Sequence, residues 1–355
     1  MCLLSSAAMV TGAVFVTSTP SDAQPQPRAA PYQYGVNTYV TYNCVGTSVM
    51  DAWAKTEVAQ YKALGANSIG ISFPLYTDSL TSNKVYGRLV CNNFKYETPP
   101  PGILAGIIQV AHAAGLKVFL RPLLDQSNLE AQNKNNWRGI LHPANLKTWF
   151  SNYLHTLKPY LSMAQSNHVE HVAIETELDS LSPASNWSAA ISVTRTIYKG
   201  DLVWNYSWFA RVPKARRTGT SFGIDTYPAL PGAKLSATPS QLATKWSSLL
   251  KQTNYKVPQL SATTIDEIGI PAQSGAYAFP FSASLSLKRY PFNQGVQANW
   301  FAAACSFMKQ HHMQGIYYWG PWLGNKRGSM LTKPDAKRPS DIQPESKASI
   351  RHCFS

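Results

Sequence analysis

Charge is scarce in this chain. Only 14% of its 355 residues are charged, and 18 acidic residues face 32 basic ones, for a formal net charge of +14. The excess comes from missing acids rather than from basic blocks. The densest basic stretches, Arg211–Arg217, Asn325–Arg327 and Lys333–Arg338, lack the length and regularity of a nucleic-acid arm, so no nucleic-acid partner is expected. A basic surface of this kind suits solubility, or attraction to anionic polymers such as acidic cell walls. Long apolar runs are also missing. The stretch Ala7–Val16 is too short to span a bilayer, and no later segment reaches the roughly 18 residues a span needs, so no membrane association is expected.

Metal and nucleotide signatures are absent too. There is no C-x-x-C or C-x-x-x-H grouping to hold zinc. His311 and His312 are adjacent, so on a helix they point apart and cannot share one ion. No G-x-G-x-x-G or Walker motif occurs, which argues against a doubly wound nucleotide-binding sheet. Neither a metal nor another cofactor is therefore expected. Gly219–Gly223 matches the G-x-S-x-G elbow, but a basic loop precedes it and a strand follows, the reverse of the strand-to-helix context that motif needs. No internal repeat is found beyond an alternation of strand-like and helix-like segments.

The N-terminus is informative despite lacking a basic start. An apolar stretch runs into Ser21-x-Ala23, a small-x-small cleavage site, so residues 1–23 are expected to be a signal peptide and the protein secreted. Residues 24–33 read as a flexible segment. Cysteine usage agrees with secretion. Cys2 leaves with the leader, and Cys44, Cys91, Cys305 and Cys353 allow three pairings. Cys44–Cys91, both in early loops, and Cys305–Cys353, stapling the tail to the last helix, are favoured. Asn186-Trp-Ser188 is a glycosylation sequon, relevant only in a host with that machinery.

Hydrophobic residues make up 44% of the chain, enough for a sizeable core. Strand-like runs start at Gly35, Ser68, Leu116, His168, Leu202, Ser221, Leu260 and Gln314. Helix-like runs cover 48–64, 99–114, 144–163, 187–198, 238–252 and 293–310, several opened by proline or closed by glycine. Eight strands alternating with helices fit a single-domain (β/α)8 TIM barrel over 34–325, followed by a basic C-terminal tail, 326–355, tied to the barrel. In such a barrel chemistry sits at the C-terminal strand ends. Those ends carry Asn37, Arg121, Glu177, Asn205, Asp225, Glu267 and Trp319. Trp204 and Tyr227 lie beside them, and with Trp208, Trp319 and Trp322 offer rings on which sugars stack, although core filling is the commoner use of the ten Trp and 18 Tyr.

Two strand ends are acidic. His168–Asp179 runs from an apolar β-branched segment into Glu175, Glu177 and Asp179, and Leu260–Gly269 ends in Asp266-Glu267-Ile-Gly. Glycosidic cleavage needs one carboxylic acid to protonate the leaving oxygen and a second carboxylate to attack the anomeric carbon or activate water. Strand ends four and seven face each other across a barrel mouth, a suitable place for Glu177 and Glu267. Asp266 is expected to face away from Glu267, so that only one enters the mouth. Asp179 and Asp225 are the stand-ins, and plain surface carboxylates the bland alternative.

Ile174-Glu-Thr-Glu177-Leu and Thr264-Ile-Asp-Glu267-Ile-Gly resemble the retaining (β/α)8 glycoside hydrolases of the 4/7 superfamily, clan A. Within it the chain looks most like the endo-β-1,4-mannanases of glycoside hydrolase family 113, with further likeness at Ala111–Val118, Trp187–Gly200, Gly223–Pro228 and Tyr318-Trp319. The resemblance implies Glu177 as acid/base, Glu267 as nucleophile, and Tyr227 and Trp319 as pocket residues. It implies a polysaccharide or oligosaccharide substrate, mannan-like or related. Thr176 stands where many superfamily members carry the Asn that holds the sugar 2-hydroxyl, so that contact is not carried over. Glu175 stands where a small residue is usual. By strand alternation it shares a face with Glu177, one layer deeper, and Arg121 is its expected ion-pair partner. A hydrolase of microbial cell-wall glycans and a barrel that binds sugar without cleaving it remain open. A monomer is expected, while the sugar, its linkage and endo or exo action lie in loops 74–98, 125–143 and 271–291, which carry no readable code.

Overall fold

A computed structural model of the protein describes residues 32–91, 96–207, 219–252, 260–324 and 330–355. The expected leader, Trp208 and the basic stretches Arg211–Arg217 and Asn325–Arg327 lie outside the described residues.

The chain runs β1 (Gln33–Val40), α1 (Thr47–Ala63), β2 (Ser68–Leu75), α2 (Pro101–Ala113), β3 (Lys117–Leu124), α3 (Ser127–Gln132), α4 (Leu146–Ser166), β4 (His171–Thr176) and α5 (Asn186–Ile197). It continues through β5 (Asp201–Ser207), β6 (Ser221–Asp225), α6 (Pro239–Gln252), β7 (Thr263–Ile268), α7 (Gln294–Gln310), β8 (Gly315–Leu323) and α8 (Pro344–Phe354). The eight strands pair in chain order and β8 closes on β1, all in parallel, as a (β/α)8 barrel. Local signals act as expected. Prolines 100 and 101 open α2, and Gly65 and Gly115, at φ 91° and 73°, follow the ends of α1 and α2. Asn145 caps α4, accepting from the Thr148 N–H at 3.0 Å.

Apolar packing divides into two shells. Phe119, Ala173, Val203 and Tyr317 fill the lower barrel interior. A larger cluster joins the outer strand faces to the helices. Trp204 belongs to this outer shell. It is fully buried and meets the Trp187 ring of α5 edge-on at 4.8 Å, so it packs the barrel wall instead of facing substrate as expected.

Both favoured disulfides are present, Cys44–Cys91 and Cys305–Cys353, each with a Cα–Cα distance of 5.6 Å. The second joins α7 to α8. The C-terminal segment read from sequence as a tail therefore contains a helix in the eighth barrel position. Its Phe354 stacks on Tyr34 at 5.1 Å and meets Tyr318 at 5.7 Å, covering the seam between β1 and β8. No helix among the described residues is long and apolar enough to cross a membrane.

Candidate active site

Two strands carry an extra residue just below the mouth. In β4, Ala173 pairs with Val203 but Glu175 pairs with Trp204, so Ile174 is inserted. In β7, Ile265 pairs with Ile224 but Glu267 pairs with Asp225, so Asp266 is inserted. A bulge re-aims every side chain beyond it. It brings Glu267 onto the inward face beside Asp225. It sets Glu175 level with Trp204, whose ring faces the helices. Glu177 then turns back through a left-handed backbone, φ 53°, a conformation uncommon for a non-glycine residue.

The expected Glu175–Arg121 pair does not form. Glu175 is fully buried, and its Oε1 accepts the Leu178 N–H at 2.5 Å. Arg121 instead sits at the centre of the mouth, above Phe119. Its Nη2 donates to Asp225 Oδ2 at 2.6 Å and to Asn205 Oδ1 at 2.6 Å. Its Nη1 donates to Glu267 Oε2 at 2.9 Å and to Ser72 Oγ at 3.2 Å. Burial opposes the guanidinium charge, but the Asp225 and Glu267 carboxylates outweigh it and raise its pKa. The network extends outward. Asn205 Nδ2 donates to Asp225 Oδ1 at 2.9 Å, and Ser72 Oγ donates to Asn37 Oδ1 at 2.9 Å.

Glu267 receives a second donor, Tyr227 Oη, at 2.6 Å. Trp319 flanks the same corner. A Cβ added at Gly269 would meet Trp319 Cδ1 at 3.2 Å and Tyr227 Oη at 3.4 Å, so both lie beside this backbone. Tyr39 packs on Trp319 at 5.8 Å and donates to Asp125 at 2.7 Å. Glu177 is held differently, by Arg138 Nε at 2.9 Å and Nη2 at 2.8 Å, both on Oε2. Asn37, Arg121, Asn205, Asp225, Tyr227, Glu267 and Trp319 thus gather at one barrel end with Glu177, whereas Trp204 and Glu175 do not join them.

Asp266 also departs from expectation. Because it is the inserted residue, it does not turn out to the helices. Its carboxyl lies inside the lower barrel against Gly223, where a Cβ would sit 1.5 Å from Oδ2, so only glycine fits. It lines a cavity of about 380 Å³ with Phe119, His171, Asp201 and Thr264.

A family model, glycoside hydrolase family 113, matches residues 40–337. The chain belongs to glycoside hydrolase family 113. Among solved structures it is similar to a family 113 β-1,4-mannanase determined as a complex, with TM-score 0.69 and 15% identity over 92% of this chain and 99% of that one. It is also similar to the family 113 β-mannanase AaManA from Alicyclobacillus acidocaldarius in complex with ManMIm, with TM-score 0.66 and 16% identity over 92% and 97%. The endo-β-1,4-mannanase from Thermotoga petrophila follows at TM-score 0.52 and 11% identity over 91% and 76%. At these identities the likeness is one of fold. No curated protein matches the chain.

Family 113 membership makes the chain a glycoside hydrolase, and the mouth holds two carboxyl groups in different settings, Glu177 on Arg138 and Glu267 on Arg121 and Tyr227. Burial, then the Glu267 charge, push the Glu177 carboxyl above the usual range, against the pull of Arg138 and Arg121. A raised pKa suits a group that must carry a proton. Glu267 accepts one bond from a guanidinium and one from a phenol. Burial, then the Glu267 charge, hold the Tyr227 hydroxyl protonated and so a donor.

Sequence reasoning assigned no role to Arg138 or Ser72. Arg138 was visible only as a basic residue in the loop after the third strand, and Ser72 as one polar residue near a strand end. Neither position signals which carboxylate or cation it will meet.

Proposed function

We propose that this glycoside hydrolase cleaves a β-linked, mannan-like polysaccharide internally, with retention, by double displacement. Glu177 protonates the leaving oxygen and later deprotonates water. Glu267 attacks the anomeric carbon and forms the glycosyl-enzyme. The observation that carries this reading is the contrast between the two carboxylates: Glu267 accepts from Arg121 and Tyr227, while Glu177 is raised by burial. Support for mannan comes from the similar β-mannanase structures. Asn37, Asn205, Tyr227 and Trp319 line the sugar site. The enzyme works as a secreted monomer, and its two disulfides suit an oxidising compartment.

The test is reducing-end release from a panel of β-mannan, β-glucan, xylan and bacterial cell-wall glycan, with the first-released anomer followed by NMR. Fastest release from mannan, with the β-anomer first and oligosaccharides of mixed length, supports the proposal. Fastest release from cell-wall glycan would instead connect the +14 charge with an anionic substrate. Glu267→Gln should abolish turnover while the fold persists. Retained activity would require another nucleophile.

A further inference from the structure

Glu175 is a buried carboxylate that the proposed chemistry does not use. It is fully inaccessible, and its Oε2 has no hydrogen-bond partner among the described residues. Burying a half-satisfied carboxyl is costly, so its one bond must matter. That bond runs from the Leu178 N–H to Glu175 Oε1, spanning the turn whose third residue is Glu177. Glu177 sits there at φ 53°, and its own N–H donates to Asn205 O at 2.9 Å. An L side chain in this conformation is strained and persists only when neighbours over-determine it. Behind the turn, Tyr153 of α4 donates to the Ile174 carbonyl at 2.9 Å, fixing the inserted residue of β4. The Glu175 carboxyl closes the other side.

We propose that Glu175 is a positioning residue: its side-chain oxygen, by accepting the Leu178 N–H, locks the left-handed turn that aims Glu177 into the barrel mouth. The proposal rests on Glu177 being the acid/base. The link needs an accepting oxygen, not a charge. Burial, then the nearby Asp179 carboxylate, hold the Glu175 carboxyl well above the usual range, and its neutral form still accepts through a carbonyl oxygen. Glutamine keeps that oxygen. Methionine keeps the length and fills the space without it.

A misaimed acid has a signature that a general loss of structure lacks. Protonation matters for a poor leaving group and little for an activated one such as 2,4-dinitrophenolate. In Glu175→Met, kcat/KM on the natural polymer should fall about tenfold to hundredfold, short of the ~10²–10⁴ that a positioned acid contributes in full. For the matching dinitrophenyl oligoglycoside kcat/KM, which reports glycosylation alone, should stay near wild type, as should the circular dichroism spectrum, while its kcat and KM fall together because the same misaimed residue must also activate water. Glu175→Gln should retain the polymer activity. Equal losses of kcat/KM on both substrates, no loss on either, a Gln variant as impaired as Met, or a Met variant that does not fold beside an active Gln variant would each overturn the proposal. Glu177→Ala, measured in parallel, separates the two levels. If it opens no gap in kcat/KM between the two substrates, the acid/base reading fails. If it opens the gap and Glu175→Met does not, only the positioning role fails.

Discussion

Arg138 meets Glu177 with two nitrogens on one oxygen, Nη2 at 2.8 Å and Nε at 2.9 Å. The cation favours ionised Glu177, while burial favours the protonated form and dominates. Arg138 therefore trims a pKa that would otherwise stand higher. In Arg138→Gln the alkaline limb of kcat/KM, where the acid loses its proton, should move to higher pH. A pH–rate profile on a folded variant checks this, and an unmoved or lowered limb contradicts it.

Tyr227→Phe removes one of two donors to Glu267 and leaves the ring in place. A hydrogen bond to a charged group is worth about 1.5–3 kcal/mol. Part of that should appear as a fall in kcat of about tenfold to hundredfold, because the bond orients the attacking oxygen. The lost bond should also lower the melting temperature, because the same magnitude is a contribution to folding stability. Steady-state kinetics beside a melting curve decide it, and a change confined to KM would place Tyr227 in substrate binding alone.

Arg121 has a larger structural share. It is fully buried and bonded to Asp225, Asn205, Glu267 and Ser72. Removing one partner of a buried ion pair costs about 3–5 kcal/mol, since the other charge is left uncompensated. Arg121→Met should lose stability on that scale in urea unfolding. Arg121→Lys keeps the charge without the planar fork, so it should fall between the two. A fully stable Met variant would mean that Asp225 and Glu267 tolerate burial without the guanidinium.

The barrel was legible because its parallel strands, buried on both faces, read as short apolar runs set off by prolines and glycines. Glu177, Glu267, Arg121, Asn205 and Asp225 were legible as polar residues at strand ends. What escaped was a matter of one residue. Strand alternation places Glu175 with Glu177 and turns Asp266 outward, but the insertions at Ile174 and Asp266 shift both strands by half a period. No residue type announces such a bulge. Trp204 failed for a related reason: its ring fills the wall against Trp187, and composition does not tell a wall ring from a mouth ring. The last helix was hidden by its basic, proline-containing surroundings, and its apolar residues Ile350, Cys353 and Phe354 gain meaning only against α7 and β1.

Asp266 gives stability a pH dependence of unusual sign for a carboxylate. It is 1% exposed, its Oδ2 has no hydrogen-bond partner among the described residues, and burial pushes its pKa up to about 8 against the pull of Arg121. In the unfolded chain it titrates near the ordinary value of about 3.9. Between these two values the folded state holds a proton that the unfolded state has released. Stability therefore falls as pH rises through this window, because the unfolded state binds fewer protons. Below about pH 4 both states are protonated and this penalty vanishes. Asparagine mimics the neutral acid at every pH. Asp266→Asn should thus leave stability near pH 4 little changed and raise it at pH 8 by an amount on the order of a few kcal/mol. Urea unfolding of both proteins at pH 4, 6 and 8 measures the difference. A gap that narrows with rising pH would mean that Asp266 is ionised in the fold, with Arg121 shared among three carboxylates instead of two.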